Sequence, residues 1–283
     1  MLSIPSMAAV ATLTIMPPDA PRFDIVQLST GIRMHYAEQG DARAKPIILL
    51  HGYSDSWFSF SRVLTPLARG AHVFALDLRG HGKTDKPKSG YLMQDLAADV
   101  IAFMDAKGIV RATIVGHSMG TLVAQQVALA MPSRVSHLVL VGGITTGKDL
   151  NGWKDLAEAV SELSDPVPEA FARDFQMSTV YTPVGDEFMS VAVNESLRLP
   201  ARVWRELATG MEAVRPAVAL RKSRIPTLVL RGEKDSFVTA ATTRSLVAML
   251  KTTLWKEYPN TGHALHWEQP ATFSRDVLNF VAQ

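Results

Sequence analysis

Apolar and polar residues follow two alternating rhythms along most of the chain. Short apolar runs, such as PIILL at 46–50 and ATIVG at 112–116, each lead through a glycine-containing loop into a stretch of helical periodicity. In one such stretch, at 92–106, Leu96 and Val100 fall on the same helix face. Apolar strands that alternate with amphipathic helices are typical of a parallel sheet covered by helices on both faces.

The rhythm predicts about eight strands and their intervening helices. The first two strands are joined by Thr30 and Gly31, which indicates a hairpin. The predicted strands are 23–29, 32–38, 46–50, 72–78, 112–116, 135–143, 227–232 and 253–259. The predicted helices of this part are 57–68, 92–106, 119–131, 238–250 and 271–282.

Residues 145–222 interrupt this rhythm. They contain several helical stretches and no convincing strand, and the last stretch begins at Pro200, which suits a first helical turn. Val203, Leu207 and Met211 then recur at helical spacing. The predicted organisation is an N-terminal extension at 1–22, a core domain at 23–144 and 223–283, and a helical cap, or lid, inserted at 145–222.

Composition narrows the class of protein. The 283 residues are 47% hydrophobic, and 29 Lys and Arg against 27 Asp and Glu give a formal net charge of +2. Because no basic run stands out, neither nucleic acid nor an anionic membrane is expected as a partner. The absence of cysteine excludes disulfides and thiolate catalysis and fits a reducing compartment.

The N-terminus decides little about localisation. The apolar stretch Met7–Met16 lacks the positively charged segment that precedes it in a signal peptide. No apolar run in the sequence approaches the ~20 residues that span a bilayer. We expect a cytoplasmic protein, and the N-terminal segment leaves secretion open.

The residues GHSMG at 116–120 carry the first indication of chemistry. They fit the pattern Gly-x-Ser-x-Gly and lie where a predicted strand becomes a helix, the context in which this motif presents a nucleophilic serine. Ser118 would then lie at a helix N-terminus, where free N–H groups favour developing negative charge. The plainer interpretation is a glycine-containing helix entry with a capping serine.

A serine nucleophile needs a base, which in turn needs an acid. His263 directly follows a predicted strand, whereas His266 is expected at the pocket wall or at a helix entry. Asp235 lies just beyond another strand, and Glu233 is its rival, although it is so close to the strand that its side chain would reach poorly. The predicted catalytic residues, Ser118, Asp235 and His263, occur in the chain order expected for this motif.

An oxyanion would need two backbone N–H donors. Met119, which follows the nucleophile, should supply one, and Tyr53, in the loop after 46–50, should supply the other. His51 in that loop is expected to be structural. A mostly apolar pocket is expected between cap and core, roofed by cap side chains and floored by Tyr53 and Met119. The predicted substrate-binding residues are Tyr53, Met119, Trp204 and His266.

Together these stretches resemble the α/β-hydrolase family over residues 23–282. The resemblance implies the α/β-hydrolase fold: a mostly parallel, twisted sheet of about eight strands with helices on both faces and an inserted helical cap. The motifs that carry it, in family order, are LLHGYSDSW, DLRGHGKTDKP, GHSMG, RGEKD and GHALHWEQP.

Two other motifs lead to no cofactor or metal prediction. DLRGHGKT would need glycine at position 77 to form a phosphate-binding loop, and Asp77 stands there. His263, His266 and Glu268 lack the spacing and the third histidine of a metal site. We therefore expect neither a cofactor nor a metal.

A serine at position 118 also limits the types of reaction that are expected. Family members that open epoxides or displace halide carry aspartate at this position, whereas serine suits acyl transfer to and from an ester or lactone. Ser-Met-Gly is similar to enol-lactonases and to carbon–carbon hydrolases. The latter usually continue with a second glycine, where Thr121 stands here, and have a Gly-Pro-rich oxyanion loop. The chain is more similar to cofactor-free haloperoxidases and simple esterases.

The main hypothesis is a carboxylesterase that acts on small to medium acyl chains through an acyl-enzyme. A lactonase or carbon–carbon hydrolase is the alternative. A non-catalytic ligand receptor or a lyase on the same fold is less expected, since receptors often lack a triad member and none is missing here. The expected partner is a small-molecule ester or lactone, and the sequence leaves monomer and homodimer open.

Overall fold

The computed structural model describes residues 20–214, 218–251 and 253–283. The apolar stretch Met7–Met16 and nearly all of the predicted N-terminal extension lie outside the described residues. The strands of the described part are β1 (Arg22–Gln27), β2 (Arg33–Gln39), β3 (Pro46–Leu50), β4 (His72–Leu76), β5 (Ala112–His117), β6 (Val135–Val141), β7 (Thr227–Gly232) and β8 (Thr253–Tyr258).

The helices of the same part closely follow the predicted periodic stretches. Short 3₁₀ helices occur at Trp57–Phe60, Pro132–Arg134, Gly147–Asp149 and Val218–Lys222. The α-helices are α1 (Ser61–Ala68), α2 (Met93–Ala106), α3 (Met119–Ala130), α4 (Trp153–Ser161), α5 (Glu169–Ser178), α6 (Asp186–Leu197), α7 (Ala201–Ala213), α8 (Ala240–Met249), α9 (Leu265–Glu268) and α10 (Pro270–Val281). No helix among the described residues is both long and apolar enough to cross a bilayer.

The eight strands form one sheet in the order β1-β2-β4-β3-β5-β6-β7-β8. β2 pairs antiparallel with both β1 and β4, and every other neighbouring pair is parallel. The predicted fold class, a mostly parallel sheet of about eight strands, is confirmed.

Side-chain alternation along β3 explains why helices cover both faces. Ile47 and Leu49 pack into a core cluster that includes residues of α1 and α10. Ile48 and Leu50 pack into a second cluster with residues of α2 and α3. Successive side chains of a strand point to opposite faces, so an all-apolar strand requires a cover on each side.

Four helices, α4 to α7, lie between β6 and β7 in the chain, where the sequence predicted a cap. Part of this segment packs on the core through its own apolar cluster. Met189 and Val193 of α6 belong to this cluster together with Ala264 and Trp267 near the C-terminus. The segment therefore makes contact with the loop that follows β8.

The parallel strands β3, β5, β6, β7 and β8 all end at the same edge of the sheet. Residues that follow these ends come from distant parts of the sequence and converge there, as is usual for sites in open α/β sheets. Tyr53, Ser118, Asp235 and His263 all follow such ends.

Candidate active site

The turn between β5 and α3 forces Ser118 into a backbone conformation that few side chains adopt. Its φ is +50°, in the left-handed region. A Cβ at Gly116 would lie 2.3 Å from the Gly120 carbonyl oxygen, and a Cβ at Gly120 would lie 2.2 Å from the Leu50 carbonyl oxygen. Both glycines are therefore required by close backbone approach, and the Ser118 side chain is held at the end of the strand.

His263 and Asp235 form a buried, directly bonded pair. His263 Nδ1 lies 2.8 Å from Asp235 Oδ2. The other carboxylate oxygen, Oδ1, accepts hydrogen bonds from the backbone N–H groups of Phe237 at 2.9 Å and Val238 at 2.8 Å. The fixed carboxylate favours the imidazole tautomer with its proton on Nδ1 and leaves Nε2 with a lone pair.

Glu233, the rival acid, lies elsewhere. Its carboxylate accepts hydrogen bonds from the Asn260 N–H and from Lys234 Nζ. These bonds lower the pKa of Glu233 below its usual value. Glu233 therefore ties the β7 and β8 loops together and does not contact the histidine.

A glycine after β6 makes room for the imidazole. Gly142 has φ +55°, and a Cβ there would lie 2.7 Å from His263 Cε1. Any side chain at this position would displace the ring. Gly142, the first residue after β6, thus contributes to the site because it has no side chain.

Ser118 and His263 line the same pocket. Among the described residues, no hydrogen bond joins the Ser118 hydroxyl to the imidazole. Catalytic hydrogen bonds are often long without substrate and tighten in the substrate complex. The two groups are neighbours in the pocket wall, with the Asp235 carboxylate behind the imidazole.

The backbone N–H groups of Met119 and Tyr53 have no acceptor within the described part of the chain. Met119 is the first residue of α3, so its N–H has no partner within the helix. The α3 dipole also favours negative charge at this end.

The pocket is small and its lining is mostly apolar. Its volume is about 20 Å³, room for about one water molecule. No Lys or Arg occurs among the described residues that line it. The lining residues are Gly52, Tyr53, Asp55, His117, Ser118, Leu150, Trp153, Leu156, Phe175, Thr179, Met211, Phe237, His263 and Trp267.

Three side chains that were predicted to bind substrate, those of Met119, Trp204 and His266, are not among the residues that line this pocket. Met119 is fully buried in the core on the α3 face of the sheet. Trp204 is fully buried as well and packs edge-on against Tyr53 and Phe175. The Tyr53 hydroxyl donates a hydrogen bond of 2.6 Å to the Trp204 carbonyl oxygen. Met119 and Trp204 support residues of the wall and do not line the pocket.

His266 is the third of these side chains. It lies on α9 and is fully buried, with Nε2 3.0 Å from Ser59 Oγ and the ring packed against Phe60 and His117. Burial, with a smaller effect of nearby His263, lowers the pKa of His266 to about 3. The neutral ring is a core residue and not part of the pocket wall.

Asp55 was not predicted from the sequence. This buried carboxyl lines the pocket, accepts hydrogen bonds from Ser59 Oγ at 3.0 Å and Gln176 Nε2 at 2.9 Å, and has its pKa raised by burial. Its Oδ2 lies 3.9 Å from His117 Nδ1, which has no hydrogen-bond partner in the described residues. Asp55 follows the end of β3, so the rule that found Asp235 at the end of β7 would also have indicated it.

His117 was also missed, although it directly precedes Ser118. Its Nε2 lies 3.2 Å from the His263 carbonyl oxygen, which can only accept, so the proton belongs on Nε2. Burial, followed by the nearby histidines, keeps the pKa of His117 well below its usual value. Nδ1 therefore carries the lone pair of the neutral ring, and it lies on the side of Asp55 and Gly52.

The histidines and carboxylates of this region are not arranged as a metal site. Over the residues that the structure describes, no group of three or more His, Asp or Glu side chains could hold a metal ion. Glu268 instead accepts backbone N–H groups of Gly262, Tyr181 and Thr182. It fixes the loop that carries His263 against the α5–α6 connection.

The chain is similar in sequence to known hydrolases. The sequence profile described as "alpha/beta hydrolase fold" matches residues 45–270. A relative from Burkholderia vietnamiensis, named 2-hydroxy-6-oxononadienedioate/2-hydroxy-6-oxononatrienedioate hydrolase, is 31% identical over 91% of this chain and 94% of its own length. A protein of the same name from Pseudomonas putida, numbered 2, is 29% identical over 95% of this chain and 99% of its own.

Two solved structures of similar shape carry other names. An esterase from a Rhodococcus species has a TM-score of 0.84 at 28% identity, covering 92% of this chain and 98% of that one. The enol-lactonase from Burkholderia xenovorans has a TM-score of 0.82 at 20% identity, covering 92% and 100%. The likeness to the lactonase concerns the fold alone.

Proposed function

Since this chain is a hydrolase that belongs to the alpha/beta hydrolase family, we propose that it cleaves carboxylic esters of small to medium acyl chain. Ser118 is the nucleophile, His263 the general base and Asp235 the acid that orients it. The observation that carries the proposal is the bonded His263–Asp235 pair beside Ser118 in one pocket.

The reaction follows from these positions. His263 Nε2 takes the hydroxyl proton as Ser118 Oγ attacks the ester carbonyl. The Tyr53 and Met119 N–H groups stabilise the tetrahedral oxyanion, and His263 then gives the proton to the leaving alcohol. Water, deprotonated by the same imidazole, hydrolyses the acyl-enzyme and returns Ser118 to its hydroxyl form.

The charge of the pocket wall favours a neutral substrate. The two curated relatives are named for dioates, which are dicarboxylates. Binding a dianion in a desolvated pocket requires cationic partners, whereas the described lining contains no Lys or Arg and does contain the Asp55 carboxyl. Esters without a carboxylate therefore suit this pocket better than the substrates for which those relatives are named.

A lactonase is the second candidate, because a lactone is a compact, neutral cyclic ester. It would use the same nucleophile, base and oxyanion donors. The absence of Lys and Arg from the described lining suits a neutral lactone for the same reason as a neutral ester. A carbon–carbon hydrolase acting on dicarboxylates is less well supported by the same lining.

The test is a comparison of turnover on nitrophenyl esters, lactones and a dicarboxylate carbon–carbon substrate. Ser118→Ala and His263→Ala should each lower ester kcat/KM by on the order of 10³-fold or more, and the double variant should be little worse, since the two residues act as a unit. His266→Gln is the matched control and should retain far more activity. Lactone or carbon–carbon turnover well above ester turnover, or His266→Gln as damaging as His263→Ala, would overturn the proposal.

A further inference from the structure

Trp153 separates the candidate active site from a second, larger space on the outside of the cap. It is the first residue of α4 and is only 7% exposed. On one side its indole lines the catalytic pocket together with Leu156 and Met211. On the other side it lines a groove between α4 and α7.

The groove is much larger than the pocket. Its volume is about 600 Å³, against about 20 Å³ for the pocket. Its floor, beside Trp153, is largely made of small and apolar side chains, and charged groups stand along its rim. The residues that line it with Trp153 are Lys148, Ala157, Val160, Ser161, Arg205, Ala208, Thr209, Glu212 and Ala213.

The indole is held mainly by packing. Its Nε1 donates one long hydrogen bond, 3.4 Å, to Glu212 Oε2, and the other oxygen of that carboxylate is paired with Lys148 Nζ at 2.9 Å. A Cβ at Gly147 would lie 3.0 Å from the indole ring, so glycine at this position leaves room for the ring. The same Cβ would lie 3.2 Å from Met211 Cβ.

Trp153 is the residue that lines both the pocket and the groove, so it stands as a partition between them. The pocket side of the partition is apolar, with Leu150, Leu156 and Met211 beside the indole. An alkyl chain that left Ser118 in this direction would meet the ring after only a short distance, because the pocket is so small. Without the ring, the same chain would continue between α4 and α7 over Ala157, Val160 and Ala208.

We propose that Trp153 determines the length of the apolar chain that the enzyme accepts, by closing the catalytic pocket against the α4–α7 groove. This inference rests on the proposed ester hydrolysis for its substrate. The chain can belong to the acyl or to the alcohol half of the ester. In either case Trp153 sets the upper limit of chain length for the wild-type protein.

The experiment compares Trp153→Ala, Trp153→Phe and wild type on two ester series. One series lengthens the acyl chain of nitrophenyl esters from acetate to dodecanoate, and the other lengthens the alcohol of alkyl acetates. In Trp153→Ala, kcat/KM should keep rising beyond the wild-type optimum in at least one series, by up to about fourfold for each added CH₂ that reaches the groove. Trp153→Phe keeps a ring in the gap and should stay close to the wild-type optimum.

Two further variants separate an opened partition from a merely larger pocket. Leu156→Ala enlarges the pocket without reaching the groove, so it should move the optimum less than Trp153→Ala. Thr209→Trp, at an exposed position of the groove wall, should leave the wild-type profile unchanged and cancel the long-chain gain when combined with Trp153→Ala. Parallel chain-length profiles for Trp153→Ala and wild type in both series, or a gain that Thr209→Trp does not reduce, would overturn the proposal.

Alkanol binding tests the partition without relying on turnover. In a Ser118→Ala background, titration calorimetry with butanol to decanol should show affinity that levels off with chain length when Trp153 is present. It should go on increasing in the Ser118→Ala, Trp153→Ala double variant. Equal chain-length dependence of alkanol affinity in the single and double variants would refute the partition, even if ester hydrolysis is established. Affinity that rises further in the double variant, in a protein without any ester turnover, would support the partition and refute the proposed function.

Discussion

The buried neutral histidine on α9 should make the protein sensitive to acid in a way that one substitution removes. His266 is fully buried, its Nε2 contacts Ser59 Oγ, and its Nδ1 has no partner among the described residues. A charge on this ring would be surrounded by the aromatic side chains of Phe60 and Phe273. His266→Gln keeps a polar atom near Ser59 and removes the titration.

The magnitude follows from the two pKa values. The pKa of His266 is lowered from 6.5 to about 3 in the folded chain. Between pH 6.5 and about 3, the unfolded chain therefore binds a proton at His266 that the folded chain does not bind. The contribution of this group to stability is present above pH 6.5 and is lost as the pH falls towards 3. At about pH 4.5, two units below 6.5, the loss is ~3 kcal/mol at about 1.4 kcal/mol per unit, and any folded-state pKa below about 4 gives much the same figure.

Equilibrium unfolding in urea at several pH values measures this difference. Between about pH 7 and about pH 4.5, the wild type should lose roughly 2 to 3 kcal/mol more free energy of unfolding than His266→Gln. Poorer packing of the glutamine shifts its whole curve and leaves this difference in slope intact. Parallel pH curves for the two proteins would show that the ring is not held neutral by burial, and the reasoning would fail.

Two further predictions concern the carboxylates near Ser118. Asp235→Asn should lower ester turnover by on the order of 10³-fold or more, because the imidazole loses the acceptor that fixes its tautomer. Glu233→Gln should retain most of the activity. Steady-state kinetics that show the reverse would exchange the roles of the two carboxylates. Burial raises the pKa of Asp55 above its usual 3.8, so the folded chain holds this proton more tightly and the stability is lost as pH rises through the folded-state pKa. Asp55→Asn should therefore gain free energy of unfolding relative to wild type as the pH rises above about 4. A constant or shrinking difference would contradict the burial argument.

The sequence predicted the fold well because its signals are local. The apolar run at 46–50 coincides with β3, and 227–232 coincides with β7. Such runs need only a count of apolar residues and their bounding turns. The Gly-x-Ser-x-Gly turn is equally local, since Gly116 and Gly120 are required by backbone contacts within that turn and with β3.

The residues of the pocket wall were harder to predict. They depend on the direction of individual side chains on helices that lie far from Ser118 in the sequence. His266 and His263 are three residues apart, but the single-turn helix α9 directs His266 into the core. Trp204 is a large aromatic residue of α7, a type expected in a substrate-binding wall. However, Tyr53 and Phe175, which pack against it, line the cavity in its place. Spacing along the sequence does not distinguish these cases.

The residues that could be predicted from the sequence are the proposed catalytic ones, and those that could not be predicted are expected to set substrate specificity. Ser118, Asp235 and His263 each follow the end of a parallel strand, so the fold itself brings them together whatever covers them. Trp153 belongs to the segment between β6 and β7, and its position depends on Gly147 and Glu212, which pack and bond around it. Under the proposed function, a change at Trp153 should therefore alter which substrates enter without disturbing the His263–Asp235 hydrogen bond. A change between β6 and β7 should not replace a group that is lost from the strand ends.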